Sequence, residues 1–261
     1  MNTRFSRRQL GRLAPLALPL AVPVQAETGG THIDNFPAQP PEVVREMVSV
    51  SHGNVKRVKE LVDARPALAK AAIDWGFGDW EDALGAASHV GNREIATYLI
   101  SHGARPTLYS ATMLGQLEVV KAFLTAHPGA QRIPGPHGIT LLTHAKNGGK
   151  PAEGVFEYLE SLGDAGTPAR VPIEASEAAA LAGVYAFGAA PNERIEIIAK
   201  DSQLIFVRQG TVGRPIYHVG GHAFYPAGAE AVRIRFTGSG SEMTLTVHDP
   251  DEQVRARRLA S

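Results

Sequence analysis

Between residues 49 and 163 the chain returns four times to one short pattern, and that repetition constrains the fold more than any other feature. The clearest copy runs from Asp82 to Ala104. Leu108 through Phe123 repeats its core, an earlier copy starts at Ser49, and a fourth runs from Ile139 to Gly163. Leu84, Leu108 and Leu142 hold one common position, and Ala87, Ala111 and Ala145 hold another. Gly53, Gly91 and Gly115 each end a first helix-length segment, and Gly103 with Ala104 ends the second segment of the clearest copy. Glycine supplies the left-handed turn that a β-carbon would strain, and alanine lets neighbouring helix pairs approach closely. Val119, Val120, Phe123 and Leu124 recur at one- and three-residue steps, which gives the second helix a buried stripe. One such helix pair cannot cover its own apolar face, so the copies must stack.

Leucine, a small residue and an inter-helix glycine at these positions resemble the ankyrin repeat. The resemblance implies a helical solenoid of about three to four repeats over residues 42–163, and with it a protein-binding role. It also carries departures. The inter-helix glycines stand 38 and then 24 residues apart, against about 33 for the repeat. Gly85, Tyr109 and Thr143 stand where its capping histidine is usual.

The longer interval holds an insertion, Asp74-Trp75-Gly76-Phe77-Gly78-Asp79-Trp80, with both tryptophans of the chain. Aromatics on a glycine-rich finger are the residues partners dock on. The expected partner-binding surface therefore combines Trp75, Phe77 and Trp80 with His89, Met113 and His144. The competing reading has the finger folding back onto the linker or the C-terminal domain.

The first 26 residues carry four arginines and no acid, then an Ala/Leu/Pro-rich run that ends in Val24-Gln25-Ala26. A charged start, a short apolar middle and a small-residue exit make a secretory signal with cleavage after Ala26. The Arg7-Arg8 pair after Ser6 resembles the bacterial twin-arginine signal, which implies export to the periplasm or beyond. An ordinary secretory signal is the alternative. Formal charge is zero overall, so the chain without that segment carries a net −4. A mildly acidic protein with no basic stripe excludes nucleic acid as a natural partner, and the prolines in the apolar run exclude stable membrane insertion. There is no cysteine, which removes disulfides, thiolate metal sites and a cysteine nucleophile.

Residues 27–41 and 164–173 are proline- and glycine-bearing linkers. From 174 to 261 the period changes to two: Val232, Ile234 and Phe236 face one way while Arg233 and Arg235 face the other, and Met243, Leu245 and Val247 alternate with Thr244 and Thr246. One buried and one wet face is the mark of antiparallel sheet. The Leu181-Ala182-Gly183-Val184-Tyr185 opening and the late Phe224-Tyr225 loosely resemble the accessory β domain beside bacterial serine hydrolases, which implies an accessory or ligand-contacting module. The fold expected is thus α+β in two domains: an ankyrin-type solenoid, then a small antiparallel sheet or half-barrel.

Catalytic motifs are missing. There is no Gly-x-Ser-x-Gly elbow and no His-Glu-x-x-His, and Gly149-Lys150 is followed by proline, which rules out a P-loop. His218 and His222 flank Gly220-Gly221 but have no third ligand nearby in sequence. Pro134-Gly135-Pro136-His137-Gly138 reads as a turn before the fourth copy, with its glycines and prolines there for geometry. The sequence therefore predicts an exported protein-binding scaffold with no cofactor, metal or catalysis of its own. The alternative is a small-molecule binder or enzyme accessory acting through the β domain, with Tyr185, Phe206, Tyr217, Phe224 and Tyr225 lining a pocket.

Overall fold

The computed structural model describes residues 37–166, 170–208, 211, 213–250 and 252–259. The expected signal, with Arg7, Arg8 and Ala26, lies outside them. Residues Ala38–Ser261 form one compact unit.

Its first half is built from short helices in pairs: α1 (Pro41–Val50) with α2 (Val55–Ala64), α3 (Ala83–His89) with α4 (Arg93–Ser101), α5 (Leu108–Met113) with α6 (Leu117–Ala126), and α7 (Leu141–Asn147) with α8 (Glu153–Ser161). The starts are set by side-chain caps. Asn54 and Asn92 accept the backbone N–H groups of Arg57 and Ile95, and Thr107 and Ser110 cap α5 reciprocally. The first helices α1, α3, α5 and α7 pack on one another in that order, with the second helices behind them. All seven residues of α3 are buried, so it sits at the centre of the stack.

The expected ankyrin solenoid is overturned. This is a helical domain of uneven pairs and not a clear solenoid. A two-stranded antiparallel hairpin, β1 (Ala72–Asp74) and β2 (Trp80–Asp82), breaks in after α2, and 3-10 turns at Pro66–Lys70, Ala130–Arg132, Pro136–Gly138 and Lys150–Ala152 interrupt the connections. The glycine intervals are the physical reason. The 38 residues from Gly53 to Gly91 supply chain for a hairpin, and the 24 from Gly91 to Gly115 leave none.

The second half corrects the half-barrel as well. After α9 (Ala175–Leu181), eight strands run as a meander: β3 (Gly183–Ala186), β4 (Arg194–Lys200), β5 (Gln203–Arg208), β6 (Arg214–Gly220), β7 (Ala223–Pro226), β8 (Arg233–Thr237), β9 (Thr244–Asp249) and β10 (Glu252–Arg258). The last strand then pairs with the first, Arg257 opposite Ala186 and Arg258 opposite Tyr185, so the sheet is a closed antiparallel barrel. Closure removes both sheet edges, which a half-barrel would leave unpaired. Alternation points Ile195, Ile197, Leu204, Phe206, Ile216, Ile234, Phe236, Leu245 and Val247 inward, where they pack with Tyr185 and Phe224 as a filled core. Of the five aromatics expected to line a pocket, Tyr185, Phe206 and Phe224 belong to that core, while Tyr217 and Tyr225 pair with each other at 5.4 Å. Ala178 and Leu181 of α9 pack against the barrel core, and Phe77 of the hairpin loop packs edge-on against Phe206 at 5.5 Å. No helix among the described residues is long and apolar enough to cross a membrane.

Tyr185 gives the barrel a pH signature. Its hydroxyl donates to Leu181 O at 2.7 Å, and burial pushes its pKa up to about 12, against roughly 10 in an unfolded chain. The folded state therefore holds a proton that the unfolded state loses first, so this contribution is complete below pH 10 and falls away as pH rises from 10 to 12. Urea midpoints measured across that range should fall, and Tyr185→Phe should flatten part of the slope. An unchanged slope would remove Tyr185 as a cause.

Candidate metal centre

The hairpin carries the site. Pairing runs Ala72 to Asp82, Ile73 to Glu81 and Asp74 to Trp80. Strand alternation turns Trp80 outward and Glu81 inward: the indole is 64 % exposed and the glutamate 1 %. The intervening loop takes positive φ at Gly76, Phe77 and Gly78. Arg214, at the start of β6, clamps it by donating to Gly76 O (3.0 Å) and Trp75 O (3.3 Å) and pairing with Asp79 Oδ2 (3.1 Å).

Three histidines converge on Glu81: His52 from the turn after α1, His89 from the end of α3, and His137 from the Pro136–Gly138 turn. One ligand atom from each of the four side chains lies within 4.8 Å of all the others. His137 Nε2 is 3.3 Å and His52 Nε2 3.6 Å from Glu81 Oε2, and His89 Nδ1 is 3.4 Å from Glu81 Oε1. A tetrahedral ion with metal–nitrogen and metal–oxygen bonds of 2.0–2.1 Å separates its ligand atoms by about 3.3 Å, so these spacings already suit one.

What lies behind each ligand matters as much. His137 Nδ1 faces Asp79 Oδ2 at 2.9 Å, and Asp79 Oδ1 also accepts the His137 backbone N–H at 2.9 Å. His52 Nδ1 faces Ser49 O at 3.0 Å. A carbonyl only accepts, which places the His52 proton on Nδ1 and leaves Nε2 with a lone pair aimed at the cluster. A ring whose second nitrogen is tied to a carboxylate or a carbonyl is the usual support for a metal-binding histidine. Trp75 Nε1 donates to Glu81 Oε2 at 2.7 Å and fixes the carboxylate in turn. Glu81 Oε1 and His89 Nδ1 are buried without a hydrogen-bond partner among the described residues, a costly state for two polar atoms.

The electrostatics divide the rings. Burial pushes His89 down to about 4, against the pull of Glu81, so it is neutral. Burial also pulls His137 down, but hydrogen bonds to Asp79 and Glu81 outweigh it and carry the ring to about 9. With no ion bound, His137 therefore holds a proton between two buried carboxylates. A divalent cation would take over that positive charge.

The cluster is not sealed. His52 and His137 line a cleft of about 930 Å³, together with Arg45, Ser49, Asp74, Trp75, Arg214 and Pro215. Four protein ligands fill a tetrahedron, so a water or substrate that reached an ion from this cleft would bind by expanding it to five-coordinate.

The residues expected to form a docking surface are distributed differently. His89 belongs to the cluster, and Trp75 supports it. Phe77 packs on the barrel core. Met113 and His144 are fully buried, and His144 ties Nδ1 to Thr140 O. Trp80 alone presents a large exposed face. His218 and His222 do not converge: the first stacks on Phe224, and the second pairs with Glu177 at 2.8 Å. In the sequence, His52 and Glu81 carry no assigned role, His137 reads only as part of a turn, and Asp79 enters only as part of the aromatic insertion. The available signal was the i, i+2 pair Asp79 and Glu81, two acids on one face of a short extended run beside apolar neighbours.

No protein-family model matches the chain, and no curated protein is similar to it. The functional reading rests on this geometry.

Proposed function

We propose that His52, Glu81, His89 and His137 bind one divalent transition-metal ion of the zinc class, and that the cleft brings a small substrate to it for hydrolysis. The observation that carries this reading is the unpartnered pair Glu81 Oε1 and His89 Nδ1, buried 3.4 Å apart beside two histidines already oriented from behind. Imidazole and carboxylate suit zinc and its neighbours rather than calcium or magnesium. An ion there would lower the pKa of a bound water towards neutrality and polarise a carbonyl or phosphoryl oxygen. Trp80 is no part of the centre, which leaves its exposed indole free for a protein partner of an exported chain.

Titration of the full chain against Zn²⁺ in competition with a chelating dye should give one ion per chain, and Co²⁺ should give a visible absorption band. His89→Ala and His137→Ala should each weaken binding by at least about 100-fold, since each removes a ligand. Trp80→Ala should titrate as the wild type does. A wild-type chain that binds no tighter than the doubly substituted His89→Ala/His137→Ala protein would end the proposal. A zinc-loaded chain that hydrolyses 4-nitrophenyl acetate no faster than that variant would end its hydrolytic part.

A further inference from the structure

The cleft has a second recognition element, and it lies on α1, the helix that leads into His52. Arg45, Ser49 and His52 stand at i, i+4 and i+7 of α1 and the turn that follows, so they share one face. All three line the cleft. The Arg45 guanidinium carbon lies 5.6 Å from the centroid of the Trp75 ring, and the same indole holds Glu81 through Nε1. One indole therefore separates the guanidinium from the metal ligands.

Arg45 has no carboxylate partner among the described residues, unlike the other arginines around it. Arg57 pairs with Glu46, the next residue along α1, and with Glu60. Arg214, on the opposite wall, uses its donors on Trp75 O, Gly76 O and Asp79. Asp74, the acid on the cleft wall, accepts from Gly76 N at 2.7 Å. A guanidinium stacked on an aromatic face, with its five donors free, is suited to holding a planar or tetrahedral oxyanion in two-point contact.

We propose that the substrate is a small molecule carrying an oxyanion, a carboxylate or a phosphoryl group, which Arg45 holds while a second group of the same molecule reaches the metal ion. This rests on the metal reading above. The cleft volume suits a ligand of that size, and the helix rise of about 10 Å from residue 45 to residue 52 sets the reach, shortened by the length of the arginine side chain. Arg45 supplies binding and orientation; the chemistry belongs to the ion.

The test uses the Co²⁺-loaded full chain and follows the visible band. Glutarate and 3-phosphonopropionate each carry two anionic ends, and butyrate carries one. Either two-ended probe should perturb the band at a concentration at least about tenfold below that needed for butyrate, as expected for one charge-assisted contact. The stronger of the two names the group. Arg45→Gln should bring the two-ended probes down to butyrate while leaving the band itself and the Co²⁺ affinity unchanged, and Arg45→Lys should retain part of the advantage. If butyrate equals both two-ended probes in the wild type, or if their advantage survives in Arg45→Gln, the oxyanion assignment is wrong although the metal stays bound. If no Co²⁺ band forms at all, the metal reading fails first and takes this one with it.

Discussion

Asp79→Asn should lower the metal affinity of the folded chain by about 10–100-fold, the usual effect of removing a group that orients a metal-binding histidine. It should also lower the unfolding free energy by about 3–5 kcal/mol, because a buried cation loses its counter-charge. Both effects come from one carboxylate that is 2 % exposed. Oδ1 accepts the His137 backbone N–H, and Oδ2 accepts from His137 Nδ1 and from Arg214. An asparagine can keep the first contact, but its amide nitrogen then faces His137 Nδ1 and Arg214 as a donor. The neutral His137 ring must reverse its tautomer, which keeps the proton on Nε2, the nitrogen that would bind the ion. Arg214 keeps its two carbonyl partners and loses its only carboxylate partner among the described residues, with its side chain 13 % exposed. Chelator competition below the unfolding transition reads the first effect, and urea denaturation of the metal-free chain reads the second. A folded variant with wild-type metal affinity would mean that His137 is not a ligand.

Asp79 also explains why so little of this site was legible in the sequence. Helices ended by glycine could be read directly, because the apolar steps and the caps are local. Strand alternation from Arg233 to Phe236 and from Thr244 to Val247 could be read for the same reason. Barrel closure could not. It depends on Arg257 and Arg258 meeting Ala186 and Tyr185 some 70 residues away, and on the summed stagger of eight strands, which no single strand encodes. The metal set is non-local in the same way. Its ligands come from positions 52, 81, 89 and 137, with none of the short spacings that put two ligands on one helix face. Pro134 to Gly138 has the composition of a turn and is one. His137 takes φ 60° there and Gly138 φ 72°, yet the partner that gives the histidine a role lies 58 residues back in the chain. The aromatic finger is divided for a related reason, with Trp80 exposed and its other two aromatics turned inward. Trp75 and Phe77 have the composition of an interface, and each meets one inside the same chain, Trp75 at Glu81 and Phe77 at Phe206.

The inter-helix glycines look alike in sequence and should behave very differently on substitution. At Gly91, φ is +78°, and a β-carbon would stand 2.0 Å from Asn147 O and 2.8 Å from its carbonyl carbon. Alanine there adds about 1–2 kcal/mol of left-handed strain to an overlap with backbone that no rotamer change relieves. The overlap costs about 1–3 kcal/mol or more. Together these come to about 2–5 kcal/mol, a large share of the stability of an ordinary domain, about 5–15 kcal/mol. At Gly53, φ is not in the left-handed region and a β-carbon would meet nothing within 4 Å, so Gly53→Ala should be neutral or stabilising by up to about 1 kcal/mol. The contact at Gly91 also reaches the metal centre. Asn147 Nδ2 donates to His89 O at 2.5 Å, so pushing the end of α7 away from Gly91 loosens the residue that holds the His89 backbone. Gly91→Ala should therefore cut Zn²⁺ affinity and thermal stability together, while Gly53→Ala, only one residue from the ligand His52, should change neither by much. Equal effects of the two substitutions would mean that the close approach of α7 to the α3–α4 turn does not form in solution.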